Sequence, residues 1–358
     1  MRAAIFVEND QPLVVEDVTP NPPGARDVVV RVTASGVCHS DLSVINGTLP
    51  MPPPAILGHE GTGIVDWVGN EVRGLQVGDR VIGSFIPACG YCSFCVNDES
   101  HLCENTYAVM ANPRATRGDG TQLNTMTGLG TFADMMTVDE MSLVKIETDL
   151  PDEHLALIGC GVTTGTGAAL FTAKVQPGST VAVIGCGGVG SAVIQGARIA
   201  GAARIIAVDP VPMKRESALK LGATDVVDPS DGDPVAQVQA LTNGRGVDYA
   251  FEVIGTPATV VQAFNMARNG GAAVAVGVSK FDQNIEIPSF PLVLGEKRLL
   301  GCVYGSARVK RDFPKLVRLV EQGKLDLDSM VSRTMHLDDI NDAFKAMQAG
   351  EVIRSVLV

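Results

Sequence analysis

Along the first 150 residues the apolar positions come in short runs. AAIFV, LVVEDV and DVVVRVTASGV are separated by proline-rich and glycine-rich stretches at Pro20–Gly24 and Pro50–Pro54. Runs of this length, rich in valine and cut by turn formers, predict β-strands in a barrel-like lobe. From about Leu155 the rhythm lengthens. VAVIG (181–185), RIIAVD (204–209), YAFEVIG (249–255) and AAVAVGV (272–278) are mostly apolar runs, and helical patterns fill the intervals to Ala200, over 212–221 and near 258–267. Strands alternating with helices in this way predict a parallel, doubly wound sheet. Helix-like segments at 312–322 and 338–349 and a last strand, IRSVLV, complete the pattern. The expected fold is α/β, with a β-rich domain over residues 1–161, a parallel-sheet domain over 162–303, and a return to the first domain over 304–358.

The chain has 358 residues, 46% of them apolar, which suits two packed domains. A formal net charge of −12 offers no general attraction to nucleic acid or to an anionic membrane, so neither is expected as a partner. Near the N-terminus Glu8 and Asp10 stand where a signal peptide needs an unbroken apolar stretch, and no apolar run looks long enough to span a bilayer. A soluble, cytoplasmic protein is the expectation. In a reducing compartment its eight cysteines favour thiolate metal sites over disulfides.

Half of those cysteines, Cys89, Cys92, Cys95 and Cys103, form CxxCxxCx7C. Four thiolates at this spacing can close a tetrahedral cage around zinc, and a closed cage leaves no position for a substrate, so this site is structural. Gly185, Gly187 and Gly190 form GxGxxG between a strand and a helix, the dinucleotide-binding context in which a pyrophosphate sits on the helix N-terminus. Asp209 ends the next strand, where a carboxylate accepts hydrogen bonds from a ribose and repels a 2′-phosphate, favouring NAD over NADP. Lys214, on the following helix, can add a ribose contact. Three further residues lie in glycine-rich stretches: Cys38 in GVCHSD, His59 in GHE and Cys160 in GCGVTTGTG. Two thiolates and one imidazole would leave zinc an open fourth position, as catalysis requires, although spacing alone does not join these three.

GHE, the four-cysteine lobe, GCGVTTG, GxGxxG and the C-terminal GEVIRSVLV occur in the order found in zinc-dependent medium-chain alcohol dehydrogenases, and the sequence resembles that family over nearly its whole length, with likeness to its class III and aryl-alcohol branches. The resemblance implies a GroES-like catalytic domain and a Rossmann coenzyme domain, one catalytic and one structural zinc per chain, NAD as coenzyme, and a homodimer or homotetramer. It implies that Cys38, His59 and Cys160 bind the catalytic zinc, that Glu60 can approach the metal during ligand exchange, and that Asp41 orients the zinc-bound imidazole. Ser40 matches the hydroxyl that takes the alcohol proton. His39 and Arg354 resemble basic contacts to the pyrophosphate, Thr164 a residue beside the nicotinamide, and Gly188, Val189, Val276 and Val278 further coenzyme contacts. Phe85, Leu49, Val278 and Val303 resemble the walls of a substrate pocket.

The implied reaction is reversible hydride transfer between NAD and an alcohol, an apolar aliphatic or aromatic primary alcohol by the character of that pocket. Where animal relatives carry a histidine that passes the proton outward, this chain has Ser43, so the exit of the proton stays open. The aperiodic segment 104–131 reads as a loop over the substrate entrance. Other readings of the same motifs are a polyol or S-hydroxymethyl-thiol (formaldehyde) dehydrogenase, an enzyme that holds its nicotinamide tightly, and a relative without catalysis. The last would be expected to lack metal ligands that are all present.

Overall fold

The computed structural model describes Met1–Val358, and the chain folds into two compact units. The first comprises Met1–Gly161, Arg308–Gly323 and Val331–Val358. Its central strand, Asp27–Val37, alternates between buried and accessible positions at its start and is wholly buried over its last four residues. That change follows from its neighbours. Glu60–Val68 pairs antiparallel along nearly all of it, Met135–Asp139 covers the other side of its first half, and Arg354–Leu357 covers its end. The sheet continues outward through Arg80–Gly83 to Leu143–Lys145 on one side and to Val331–Met335 on the other. A second sheet carries Arg2–Phe6 between Val14–Asp17 and Ala55–Ile56. Fully buried Phe6, Leu57 and Phe132 anchor the core beneath it, and burying such a side chain contributes roughly 1.5–3 kcal/mol.

Segment 104–131 is more ordered than its lack of periodicity suggests. It holds a short helix, Thr106–Met110, and a strand pair, Ala115–Thr116 with Gln122–Thr125. Elements of two to five residues are too short for any period to register. Both of its arginines are tied to carboxylates: Arg114 donates to Asp27 at 2.9 Å, and Arg117 grips Glu16 at 2.6 and 2.8 Å.

The second unit, Val162–Ala307 with Lys324–Met330, is a six-stranded parallel sheet. Its order is Asp225–Val227, Arg204–Val208, Thr180–Ile184, Val247–Glu252, Ala267–Ala275, Arg298–Gly301. The inner strands Thr180–Ile184 and Arg204–Val208 are almost wholly apolar because helices bury both faces of such a sheet. Three helices, Pro212–Leu221, Pro234–Leu241 and Pro257–Met266, begin with proline, whose fixed φ suits the first turn and whose missing N–H would have no partner there. Asp233 and Thr256 cap the second and third by accepting from Val235 N and Thr259 N. At the far edge Arg298–Gly301 pairs on one side only. Phe290, Val293 and Leu294, just before it, are about 70% exposed.

One expectation fails. A 21-residue helical stretch, Asp152–Thr172, has mean hydropathy 1.5, apolar and long enough to cross a membrane by those measures alone. The glycines and threonines of GCGVTTGTG hide this helix, because they lower helix propensity without adding charge. Since 78% of its most apolar window is buried inside the protein, its hydropathy is that of a core helix.

Candidate metal centre and coenzyme loop

Cys38, His59, Glu60 and Cys160 come from three separate segments, and their ligand atoms lie within 4.8 Å of one another, all buried. Cys38 directly follows the central strand and is the N-cap of the helix His39–Ile45. His59 follows Gly58, whose φ of +90° favours glycine and whose absent Cβ would strike Thr131 Oγ1 at 2.5 Å and Phe132 N at 2.6 Å. Cys160 sits in the helical turn Ile158–Val162.

Asp41, fully buried, ties two of these segments together. Its Oδ2 accepts from Cys38 N at 2.9 Å, and its Oδ1 accepts from Gly58 N at 3.1 Å and lies 3.1 Å from His59 Nδ1. With Nδ1–H donating to Asp41, the lone pair of His59 is left on Nε2, and Nε2 is buried without a partner. An orphaned buried acceptor between two thiols is what a soft divalent cation would satisfy. Burial alone would lower the pKa of His59, but Asp41 and then Cys38 overcome it and raise it to about 10. Cys38 is held well below the ordinary thiol range, chiefly by the hydrogen bond to Cys160 and further by His59. Without a metal these groups favour thiolate beside imidazolium, and a metal would replace the proton on Nε2 and take up the lone pair that Nδ1–H leaves there.

Glu60, although within reach, is already committed. Its Oε1 accepts from Gly161 N at 3.1 Å, and its Oε2 forms an ion pair with Arg354, which is 4% exposed. Three ligands, S, N and S, therefore remain for a metal, with one position open. The pairing with Arg354 had no local signal in the sequence, since the two residues lie at opposite ends of the chain. Ser40 Oγ is 3.8 Å from Cys38 Sγ and partly accessible, and His39 is exposed. The Phe85 ring meets His59 edge to face at 5.7 Å, so this aromatic borders the cluster. Leu49, partly buried, packs against the core group of Phe6, Leu42 and Phe344.

The four-cysteine lobe forms a second cluster, with sulfurs also within 4.8 Å. Cys89 Sγ accepts from the N–H groups of Tyr91 and Cys92 at 3.5 and 3.3 Å, and Cys103 Sγ from Cys89 N at 3.4 Å. Burial opposes ionisation of Cys89, but the Tyr91 N–H leads the donors that bring its pKa down to about 6. Burial and the neighbouring thiols push Cys95 up to about 12. Four thiolates this close need a cation, and no fifth side chain enters the set.

In the second unit Gly185 has φ +92°, and Gly190 lies so close to the Gly185 carbonyl that a Cβ there would overlap it. A Cβ on Gly187, by contrast, meets nothing within 4 Å. That open face, at the N-terminus of the helix Gly188–Ile199, is where a pyrophosphate can approach the backbone. Asp209 is buried and accepts from Cys186 N at 2.8 Å and Val211 N at 2.9 Å, which fixes its carboxylate beside the glycine loop. Arg215 donates to the Asp209 carbonyl and pairs with Asp228 at 2.8 Å. Lys214, Thr164, Gly188 and Val189 are partly accessible and Val276 is buried, whereas Val278 and Val303 are exposed.

Comparisons with known proteins identify the family. The family described as alcohol dehydrogenase GroES-like domain matches residues 24–148, and that described as zinc-binding dehydrogenase matches 188–322. The chain is 41% identical to an S-(hydroxymethyl)glutathione dehydrogenase of Synechocystis sp. over 99% of both sequences. It is 40% identical to the class-3 alcohol dehydrogenase of Myxine glutinosa, over 99% of this chain and 97% of that one. The crystal structure of benzyl alcohol dehydrogenase from Acinetobacter calcoaceticus superposes with a TM-score of 0.92 at 33% identity, covering 99% of this chain and 98% of the other. Identity at this level across the full length, with both domain families matched in order, makes the chain a member of the zinc-dependent medium-chain alcohol dehydrogenases.

Proposed function

We propose that the protein oxidises apolar primary alcohols, aliphatic or aromatic, and reduces the corresponding aldehydes, with NAD as the redox partner. The observation that carries this reading is the buried, unpartnered Nε2 of His59 within 4.8 Å of the Cys38 and Cys160 sulfurs, with Glu60 paired to Arg354. In this reading Cys38, His59 and Cys160 hold zinc, which supplies Lewis acidity toward an alcohol oxygen while NAD supplies the hydride acceptor. Cys89, Cys92, Cys95 and Cys103 hold the structural ion.

The chain's own groups do the rest. Asp41 keeps His59 in the tautomer that leaves Nε2 free. Ser40 Oγ, beside Cys38 and open to solvent, accepts the hydroxyl proton of the alcohol and releases it outward, so no second histidine is needed at position 43. Phe85 shields the cluster from water and presents an apolar face to the substrate. Asp209 selects a free ribose, and Arg215 is unavailable for a 2′-phosphate because Asp228 occupies it. His39 and Lys214 serve the coenzyme's anionic and ribose groups, Glu60 and Arg354 act together near the metal, and Thr164, Gly188, Val189, Val276 and Val278 line the coenzyme path. Leu49 and Val303 extend the substrate wall. The catalytic domain then comprises 1–161 and 304–358, and the coenzyme domain 162–303.

The name of the Synechocystis relative supports a second reading, an S-hydroxymethyl-thiol adduct as substrate. Against it stand Arg114 and Arg117, the only cations of segment 104–131, both already neutralised. We further propose a cytoplasmic homodimer or dimer of dimers, in which the open edge Arg298–Gly301 and the exposed Phe290, Val293 and Leu294 meet a second copy. The test is an NADH screen at 340 nm over benzyl alcohol, straight-chain alcohols and formaldehyde with glutathione, run beside metal analysis. Two zincs per chain and turnover of apolar alcohols are expected. Turnover confined to the thiol adduct would overturn the assignment of substrate.

A further inference from the structure

At the C-terminal end of the strand Val247–Glu252 stands a carboxylate that the metal centre does not use. Glu252 is fully buried. Its Oε1 accepts three hydrogen bonds, from Ile254 N at 2.8 Å, Gly255 N at 2.7 Å and Thr259 Oγ1 at 2.7 Å, while Oε2 is buried without a partner. Burying a carboxylate is costly, and leaving one oxygen idle makes it more so. An apolar side chain would suit the sheet interior better, unless the three donors must be held.

What they hold is the turn 253–255. Its neighbours are two backbone segments at the same end of the sheet. Ile254 packs against Gly185, where an added Cβ would meet Ile254 Cγ1 at 2.9 Å. On the other side, a Cβ on Gly255 would meet Val278 O at 2.6 Å and Val278 N at 2.8 Å. The Glu252 carbonyl also accepts from Val276 N at 2.8 Å and Gly277 N at 3.1 Å. The turn is thus wedged between the first glycine of the fingerprint and the 276–278 segment, with no side chain on Gly185, Gly255 or Gly277 to keep the three apart. Ile254 is 47% exposed, so its packing alone does not fix it. The carboxylate does, and it extends the restraint through Thr259 to Thr256, the cap of the helix Pro257–Met266, at 2.7 Å.

We propose that Glu252 is a positioning residue for the coenzyme: it sets the 253–255 turn, and through that turn the spacing of the glycine loop and the 276–278 segment between which NAD must fit. The inference rests on the coenzyme reading of the GxGxxG loop. Glu252 touches no reacting atom, so its loss should weaken coenzyme binding and leave the alcohol step intact.

The test compares wild type, Glu252→Ala, Glu252→Gln and Thr259→Val by NADH fluorescence titration. Zinc content and amide hydrogen exchange are measured on each protein without coenzyme. Glutamine retains an acceptor oxygen for the three donors, alanine none, and Thr259→Val removes one donor while keeping volume. Losing several net hydrogen bonds to a charged group should raise the NADH dissociation constant by about tenfold or more in the alanine variant. The glutamine and valine variants should fall between. The KM for NAD should rise with kcat at saturating NAD unchanged, and exchange at Ile254 and Gly255 should accelerate. Where Glu252→Ala does not fold, the graded weakening of NADH by Glu252→Gln and Thr259→Val decides the matter. NADH affinity unchanged in every folded variant would overturn the proposal. Wild type that fails to bind NADH at all would instead overturn the coenzyme reading beneath it.

Discussion

Replacing Asp41 by asparagine keeps size and shape and changes one acceptor into a donor. In the native site both oxygens are used, Oδ2 by Cys38 N and Oδ1 by Gly58 N and His59 Nδ1. Asparagine has a single acceptor oxygen. With that oxygen toward His59, the new NH2 faces the Cys38 N–H, and an unsatisfied buried donor costs about 1–3 kcal/mol. With the amide turned over, the NH2 faces His59 Nδ1, which must now accept, and the ring proton moves to Nε2. That blocks the atom left free for the metal. Either outcome weakens the site, and changes in the outer partner of a metal-bound histidine typically lower affinity about 10- to 100-fold, or about 1.4–2.7 kcal/mol. The assay holds both proteins in graded zinc buffers and reads zinc per chain with kcat/KM. The expected result is that one zinc stays on the four-cysteine lobe while the other requires 10- to 100-fold more free zinc. Two zincs retained as in wild type, with unchanged kcat/KM, would refute the argument.

Ser40→Ala should lower alcohol turnover by roughly 100-fold with both zincs retained, since a positioned proton acceptor contributes at least that much; near-normal turnover would remove Ser40 from the proton path. Asp209→Gly should admit NADP, read as a rise of at least about tenfold in the NADP-to-NAD ratio of kcat/KM, and an unchanged ratio would count against Asp209 as the selector. Asp248 supplies a pH dependence. Partial burial raises its pKa, but Thr180 N and Oγ1 and the Arg268 guanidinium outweigh this and hold it below the ordinary carboxylate value. A depressed folded pKa adds stability that is full above the unfolded value near 4 and is lost as pH falls through the folded value. Asp248→Asn should therefore melt at lower temperature than wild type at pH 7, with the gap closing below about pH 4. A gap independent of pH would refute the charge argument.

The alternating strands and helices of the second unit were legible because each element is long enough to show its period. The helix expected at 212–221 is Pro212–Leu221, and the strand DVVVRVTASGV is Asp27–Val37. Asp225–Val227 and Pro234–Leu241 gave weaker signals, a three-residue strand and an eight-residue helix that tertiary packing stabilises more than local pattern does. The four-cysteine lobe could be read from spacing because all its ligands lie on one short loop. Cys38, His59 and Cys160 could not, since three strand and helix ends bring them together, and family likeness had to connect them. Glu60 with Arg354, and Glu252 with its turn, left no trace in the sequence, because a buried carboxylate looks like any other until its partners are known.

The strand Arg354–Leu357 pairs with Ser35–Val37, and Arg354 forms an ion pair with Glu60 beside the metal ligands. Consequently the ligand set is written early in the chain but restrained by a segment translated long after it.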